Sequence, residues 1–362
     1  MTKIFSIKNH KKILLIIGAI DIVLCIIALI MFGGMRASVS NDIHQQAAER
    51  WAGSRNDYAQ VSIFMTGEEV IGSTDLRGIR SSIYHKLSDD SLLNEEDAER
   101  TWIDAYSKLD TDITLRKDNT TLSVNAILYG GEFYKIHPLY MINGSFPDPE
   151  IDGDSHKVVL DDYAAWTLFG SNDIVGKEVW IENTIYTVSG VVKTPENRDE
   201  LQAYGNGYYA YIPIENFKDK YATCYEAVLP NPVENYALTA VSKAFNIDTD
   251  SELLDQDNRS VLSYDDIEAV ENTNRFDIST LFAKMKKRRY IDMKTTSIVY
   301  PYWENYARFE ESKQMGGLRM VIMLLILPAL TIIYLLIVLF FFVESIPEKF
   351  KKKHARGYAV IE

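Results

Sequence analysis

The sequence predicts an α+β domain held between two transmembrane helices, and three observations support this fold class. Residues 13–32 contain one charged side chain, Asp21, and residues 320–343 contain none. Each run is long enough to cross a hydrocarbon core of about 30 Å as a helix that rises about 1.5 Å per residue. Between the two runs, strand and helix patterns are mixed without the regular rhythm of a parallel α/β sheet.

These patterns divide the chain into five segments. They are a basic head (1–12), a first transmembrane helix (13–32), an extracytoplasmic domain (33–318), a second transmembrane helix (319–343) and a basic tail (344–362). The domain has 286 residues, which is enough to bury one or two hydrophobic cores. This organisation excludes a wholly soluble enzyme and a transporter that builds a pore by itself.

The net charge of −13 is distributed unevenly along the chain. The two ends, Asp21 and Arg319 together carry +6, so the domain carries −19. A surface this acidic repels DNA and RNA, which argues against nucleic acid as a partner. Because lysine and arginine beside a span are retained in the cytoplasm, we expect a two-pass protein of the cell membrane with both termini cytoplasmic.

The first apolar run resembles a secretory signal as well as an anchor. Its twenty residues exceed the roughly 7–15 of a signal's apolar core, and Ile30-Met31-Phe32-Gly33-Gly34 is not a small-x-small cleavage site, so we expect an uncleaved anchor. The two cysteines, Cys25 in this run and Cys224 in the domain, cannot meet across that topology. The domain is therefore expected to be stabilised without an internal disulfide.

Apolar spacing predicts the elements of the domain. Ala47, Ala48 and Trp51 keep a helical spacing, so the first helix is expected to continue outward as a stalk over 35–58. The further expectations are a strand at 61–65, a helix with Leu76, Ile79, Ile83 and Leu87 on one face, a second helix over 95–109, a hairpin over 113–128 turning at 116–119, and acidic loops with short helices over 248–289.

The stretch from 132 to 192 has the most specific pattern. A buried strand at 157–160 leads to Asp161, which should cap a short helix that Gly170 ends in the left-handed conformation. Gly176 then opens a hairpin of 177–181 and 185–192. A strand at 208–214 and a helix at 235–245 follow.

This stretch resembles the MacB-like periplasmic core domain. The resemblance rests on short motifs in the same order: Phe133-Tyr134-Lys135-Ile136-His137-Pro138, Asn143-Gly144-Ser145-Phe146, Val158-Val159-Leu160-Asp161, Ala165-Trp166-Thr167-Leu168-Phe169-Gly170, Ile174-Val175-Gly176-Lys177 and Tyr186-Thr187-Val188-Ser189-Gly190-Val191-Val192. It implies a porter-like part and a small β-rich subdomain at about 150–215. We interpret Leu168, Phe169, Gly170, Gly176 and Gly190 as structural residues of these motifs that contact no ligand.

In that family the domain is the extracytoplasmic insert of ABC transporter permeases that act by mechanotransmission. The resemblance implies a permease-like or accessory subunit whose partners are a separate ABC ATPase subunit and a second permease chain. Its ectodomain would couple ATPase-driven helix motion to substrate handling outside the cell. Family members usually continue into a coupling helix and two more spans, whereas this sequence ends at its basic tail, which implies a shortened membrane part.

The alternative class is a two-pass scaffold, either chain-length-regulator-like or ligand-sensing. It shares the topology but predicts long heptad helices in the domain.

No motif predicts catalysis, a cofactor or a metal. The stretch 170–178 lacks the glycine spacing and the Ser or Thr of a phosphate loop. The six histidines lack zinc-site spacing, and the acidic loop 148–154 lacks the EF-hand pattern. Since no nucleophile has a recognisable base, we expect no enzyme.

Asp21 is the exceptional residue of the first span. An acidic side chain near the centre of a bilayer costs about 2.5–3.5 kcal/mol on insertion scales. We expect an intramembrane polar contact between Asp21 and another chain, and the alternative is a carboxyl that is tolerated in its neutral form.

Overall fold

The computed structural model describes residues 2–41, 46–52, 58–66, 70–93, 101–147, 156–205, 207–247, 261–263, 266–286 and 298–344. The chain divides into two compact units. The helical unit comprises Met1–Val39 with Lys313–Glu362, and the domain unit comprises Ser40–Ser312.

The helices and strands confirm the mixed α+β class. The helices are α1 (Thr2–Asn41), α2 (Ala47–Ala52), α3 (Ser73–Asp89), α4 (Phe133–Ile136), α5 (Asp162–Phe169), α6 (Arg198–Tyr204), α7 (Tyr236–Ala244), α8 (Ile278–Lys286) and α9 (Tyr302–Glu344). The strands are β1 (Tyr58–Met65), β2 (Ile103–Lys117), β3 (Thr120–Gly131), β4 (Met141–Gly144), β5 (Lys157–Asp161), β6 (Glu178–Ile181), β7 (Thr184–Val192), β8 (Tyr209–Pro213), β9 (Cys224–Pro230), β10 (Val261–Ser263) and β11 (Ile267–Glu271).

In the helical unit, parts of α1 and α9 form a close helix pair. Lys12–Ser38 and Tyr302–Phe340 are the stretches long and apolar enough to cross a membrane. A Cβ added to Gly317 would lie 2.9 Å from the sulfur of Met35, so the glycine permits a close approach of the two helices. Most large apolar side chains of this unit, such as Leu15 and Ile30, are exposed, as expected of residues that face lipid.

In the domain unit, the eleven strands form one sheet in the order β10-β11-β1-β9-β2-β3-β8-β5-β7-β4, and β6 pairs with β2 and β7. The sheet is mixed, because β3 pairs with β8 in parallel while β1 pairs with β9 in antiparallel fashion. Strand β2 reaches β9 through Ile103–Ser107 and β6 through Leu115 and Arg116. The strands of the expected small subdomain therefore belong to the same sheet as the rest.

Both faces of the sheet are covered. Tyr225, Ala227 and Leu229 of β9 lie in a cluster with α3 and α7, whereas Val228 points to a second cluster with Ala47, Ala48 and several aromatic residues. This follows from the two-residue period of a strand.

Several sequence expectations are confirmed. Helix α3 buries Leu76, Ile79, Ile83 and Leu87, the four residues of the predicted stripe. The hairpin of β2 and β3 turns at Asp118, which has a positive φ of 51°. The alternative scaffold predicted long heptad helices in the domain, but the longest helix wholly within the described domain residues is α3, with 17 residues.

The helix expected over 95–109 is wrong from Ile103 onward, although Thr101 is helical. Ile103 to Leu109 belong to strand β2, and 94–100 lie outside the described residues. Both faces of this strand are buried near its start, because Ile103 and Ala105 lie in one cluster and Tyr106 packs against the cluster on the opposite side of the sheet. Two-sided burial removes the alternation of a strand and leaves an apolar spacing that imitates a helix.

Two other expectations are corrected in part. The stalk over 35–58 is not one helix, because α1 ends at Asn41 and Ala47–Ala52 form a separate helix that packs on the sheet. Within 248–289, the structure places strands β10 and β11 beside helix α8. Strand β11 pairs with β1, so this stretch contributes to the sheet.

Candidate functional site

The candidate site consists of two connections within the domain unit. The entry connection is helix α2, Ala47–Ala52, which follows the first long helix in sequence. The exit connection is Tyr302–Ser312, the part of α9 that belongs to the domain unit. Any motion that reaches the domain through the backbone of a transmembrane helix passes through one of them.

The entry connection is held mostly by hydrogen bonds to the backbone. Arg50 donates from Nη1 to the carbonyl of Lys135 at 2.9 Å and from Nη2 to the carbonyl of Ile136 at 2.6 Å. The backbone N–H of Asn274 donates to Glu49 Oε1 at 2.8 Å. The apolar contact comes from Ala47 and Ala48, which are buried against the sheet. The entry connection thus has few contacts, and its buried apolar side chains are the small ones of two alanines.

The exit connection begins with two buried aromatic side chains. The Trp303 ring lies 4.4 Å from that of His137 and 5.5 Å from that of Phe133, centroid to centroid. The Tyr302 ring lies 4.8 Å from that of Tyr204, and its hydroxyl is 3.3 Å from that of Tyr211. Aromatic residues of this size dominate packing energies, so the first turn of α9 is fixed in the domain core.

One turn further, a buried network of charges holds the exit connection. Arg275 contacts Glu304 at 2.9 Å and Glu311 at 3.1 Å. Lys284 contacts the other oxygen of Glu311 at 2.5 Å, and Arg308 contacts Glu304 at 2.6 Å. The carboxylates of Glu304 and Glu311 therefore each contact two cationic side chains. The helix is thereby bound to the loop after β11 and to α8.

The pKa shifts follow from this arrangement. Burial alone would lower the pKa of Arg275, but the carboxylates of Glu304 and Glu311 outweigh it and hold the pKa above its ordinary value. Burial lowers the pKa of Lys284, and Glu311 offsets only part of that effect. Arg275 therefore stays charged at any physiological pH and is the fixed centre of the network.

Both connections contact the same two turns. The Phe133–His137 turn receives Arg50 from the entry side and Trp303 from the exit side. The Asn272–Arg275 turn receives Glu49 from the entry side and Glu304 from the exit side. These turns are therefore the places where both connections meet the sheet.

A chain of buried polar groups joins the two turns through the sheet. His137 contacts Glu226 through Nε2, and the hydroxyl of Ser62 donates to Glu226 at 2.9 Å. Asn272 donates to Ser62 at 2.8 Å and accepts from Arg275 at 3.2 Å. Since buried polar groups keep their partners, this chain links the two turns mechanically.

Asp21, the predicted intramembrane contact, lies in the helical unit. Its side chain is 9% exposed, and its Oδ1 has no hydrogen-bond partner among the described residues. The buried Ala28 lies seven residues later on the same face of α1. The contact with another chain stays a prediction.

The predicted motif residues lie in and around strands β5 to β7. Leu168 is buried and Phe169 packs against the main core, and Gly170 ends α5 with a φ of +67°. Gly176 has a φ of +82°. A Cβ on Gly190 would lie 2.8 Å from the sulfur of Met141 and 3.0 Å from the backbone oxygen of Ser145, so a side chain there would displace its neighbours. Their purely structural role stays a prediction.

Sequence reasoning missed the exit connection as a site. The signal was present, because Glu304, Arg308 and Glu311 follow a helical spacing immediately after the run Tyr300-Pro301-Tyr302-Trp303. Arg275 and Lys284 carried no such signal, since only the fold brings them to the helix.

The comparison with protein families gives a match over residues 16–248 to the model described as "MacB-like periplasmic core domain". Among solved structures, the chain is similar to the periplasmic region of MacB from Actinobacillus actinomycetemcomitans, with 16% identity, a TM-score of 0.36, and coverage of 55% of this chain and 86% of that one. It is also similar to the extracellular domain of the noncanonic ABC-type transporter YknZ from Gram-positive bacteria, with 14% identity, a TM-score of 0.35, and coverage of 52% and 92%. No curated protein matches the sequence.

Proposed function

The chain belongs to the family of MacB-like periplasmic core domains and is a permease-type component of an ABC transporter; from this premise we propose that its second transmembrane helix drives the domain. The observation that carries the proposal is the exit connection. Helix α9 extends from Tyr302 to Glu344 with Pro328 inside it, so a displacement of its cytoplasmic part is carried along one helix to Trp303 and Glu304.

The proposed mechanism is mechanical. ATP hydrolysis in a separate ABC ATPase subunit moves the cytoplasmic end of α9, and the buried network around Arg275 passes that motion to the loop after β11. Trp303 passes it to the Phe133–His137 turn. Because both turns are tied into one sheet, the domain shifts against its substrate outside the cell. No residue carries out covalent chemistry in this scheme, so we propose no catalytic role.

The topology of the proposal follows from the charge distribution. We place the spans at 13–32 and 319–343 and both termini in the cytoplasm, with domain 33–318 outside. A cysteine introduced near Gly205 should react with an impermeant maleimide on intact cells, and one introduced near Lys352 should not. Labelling of only the cysteine near Lys352 would show that the chain has the opposite orientation in the membrane.

The membrane part of the proposal includes partners. We propose a second permease chain beside α1, with Asp21 in the contact, because its Oδ1 has no hydrogen-bond partner among the described residues and a carboxyl group is costly within a bilayer. The first experiment is purification of the tagged chain from its native membranes in mild detergent. An ATP-binding subunit and a second membrane chain should accompany it, and recovery of the chain without either would remove the basis for an ABC system.

The decisive experiment compares the two connections. A Gly-Gly-Ser insertion after Ser312 interrupts α9 at the edge of the domain unit, and the same insertion after Asn41 lies at the end of α1. The readout is the ATP-dependent fluorescence change of a dye attached at the exposed position Tyr140 as Tyr140→Cys. The first insertion should abolish the change and leave ATP hydrolysis intact, and the second should preserve both. Equal effects of the two insertions would contradict transmission through α9.

A further inference from the structure

The outer face of helix α5 carries large aromatic side chains that the fold does not use. Ala164, Ala165 and Leu168 form the buried face of this helix. Tyr163 and Trp166, one turn apart, are 55% and 59% exposed. Together with Leu201 and Tyr208 they line an open hollow of about 510 Å³.

The hollow has the dimensions of a small-molecule site. Ligand sites in proteins have volumes of about 300–1,000 Å³ and are lined mostly by apolar and aromatic side chains with a few polar groups. Gly205, which also lines the hollow, borders open space, because nothing lies within 4 Å of the position that a Cβ would take there. Exposed Trp and Tyr side chains are also the residue types that contribute most to binding at recognition surfaces.

The charges indicate the kind of ligand. No charged residue is among the described residues that line the hollow, and its aromatic rings attract cations through their faces. The acidic residues Asp162, Asp199 and Glu200 adjoin the lining in sequence and outnumber the neighbouring Arg198. The whole domain carries −19, so its field concentrates cations and repels anions.

We propose that this hollow binds a small cationic amphiphile. Its apolar group lies against Trp166 and Leu201, and its cationic group lies over an aromatic face. Tyr163 and Trp166 make none of the exit-connection contacts described above, so the proposal and the proposed function can fail independently. Binding needs neither ATP nor a partner chain.

The test uses two probes of nearly equal shape and opposite charge, tetraphenylphosphonium and tetraphenylborate. The full chain in lipid nanodiscs is titrated with each probe by equilibrium dialysis, and empty nanodiscs provide the subtraction for lipid partitioning. We expect saturable binding of the phosphonium cation and at least about tenfold weaker binding of the borate anion. Equal binding of both ions, or no saturable phosphonium binding, would overturn the proposal.

Variants locate the site. Trp166→Ala and Tyr163→Ala should each weaken phosphonium binding by about tenfold, and Thr167→Trp should block it by filling the hollow. Tyr140→Ala is the matched control, because Tyr140 is an exposed aromatic residue outside the hollow. The thermal midpoint of each variant is measured first, and since Tyr163 and Trp166 are exposed it should stay at the wild-type value. Unchanged binding in the stable variants, or equal loss in Tyr140→Ala, would place the cation elsewhere.

Discussion

The entry and exit connections hold the same two turns by different kinds of interaction. The entry connection uses a six-residue helix, two alanines and hydrogen bonds to backbone groups, and Nε of Arg50 has no partner among the described residues. The exit connection uses two buried aromatic rings and a desolvated network of charges. A hydrogen bond that involves a charged group, such as those of Arg50, contributes about 1.5–3 kcal/mol, whereas removal of one member of a buried ion pair costs about 3–5 kcal/mol. The two connections therefore contact the same turns but are not expected to hold them with equal strength.

The largest difference is expected between two arginine variants. Arg275→Met leaves Glu304 and Glu311 buried without their common partner and should destabilise the domain by about 5 kcal/mol. Arg50→Met removes two hydrogen bonds from a charged guanidinium to carbonyls and should cost about 1.5–3 kcal/mol. Urea unfolding of the full chain in detergent, followed by near-ultraviolet circular dichroism, measures both. Equal losses would remove the distinction between the connections.

A pair of tryptophans gives a smaller difference. Trp303→Ala should cost about 3 kcal/mol, near the lower limit for a buried tryptophan, because its Nε1 has no hydrogen-bond partner among the described residues and none is lost. Trp51 is only half-buried, so Trp51→Ala should cost about 1–2 kcal/mol. The same unfolding assay compares them. A larger loss at Trp51 would show that the entry connection is the stronger of the two.

The pH dependence of stability tests Glu271, the last residue of β11, which directly precedes the Asn272–Arg275 turn. Burial, and then repulsion from Glu234, raises the pKa of Glu271 to about 7, from an ordinary value of 4.5. The folded chain thus binds this proton more tightly than the unfolded chain between those values, so stability should fall as the pH rises from about 4.5 to about 7. Above about pH 7 neither the folded nor the unfolded chain holds the Glu271 proton, so this residue no longer contributes to the change of stability with pH.

The matching variant is Glu271→Gln, which should flatten the dependence of the thermal midpoint on pH in that window. Glu178→Gln, at an exposed position of β6, is the control and should leave the slope unchanged. A variant at Glu271 with the wild-type slope would assign the pH dependence to other groups.

The smallest effect is expected in the helical unit. Asp21→Leu should reduce recovery of the second membrane chain, because interhelical polar contacts in membranes contribute about 0.6 kcal/mol on average and reach about 1.7. Asp21→Asn keeps hydrogen bonding and serves as the control. Quantitative co-purification compares the three proteins, and identical recovery would make Asp21 a tolerated residue of the helix pair.

The sequence predicted best those elements whose pattern is local. Asp161 does cap α5 by accepting from the N–H of Ala164 at 2.7 Å, and Gly170 and Gly176 do have positive φ. These are decided by a few neighbouring residues. Strand β2 was misread because its two-sided burial depends on residues such as Tyr302 and Trp303, which cover one of its faces from more than one hundred residues later in sequence.

The candidate site was only half predictable for the same reason. The aromatic and charged residues of the exit connection follow one another along α9 and are visible in the sequence. Their partners Arg275 and Lys284 belong to a stretch that suggested acidic loops, and Glu226 lies in the middle of an apolar strand. A buried ion network joins residues that are distant in sequence, so no periodicity reveals it.

The place of β1 in the sheet has a consequence for biosynthesis. Its residues Tyr58–Phe64 pair with Cys224–Pro230, which follow them by 160 to 172 residues. At about 5–20 residues per second, a ribosome needs on the order of 10–30 seconds to supply that partner strand. During this interval β1 has two unpaired edges, and such edges pair readily with other chains. A newly made chain is therefore most vulnerable to aggregation and proteolysis before residue 230 emerges.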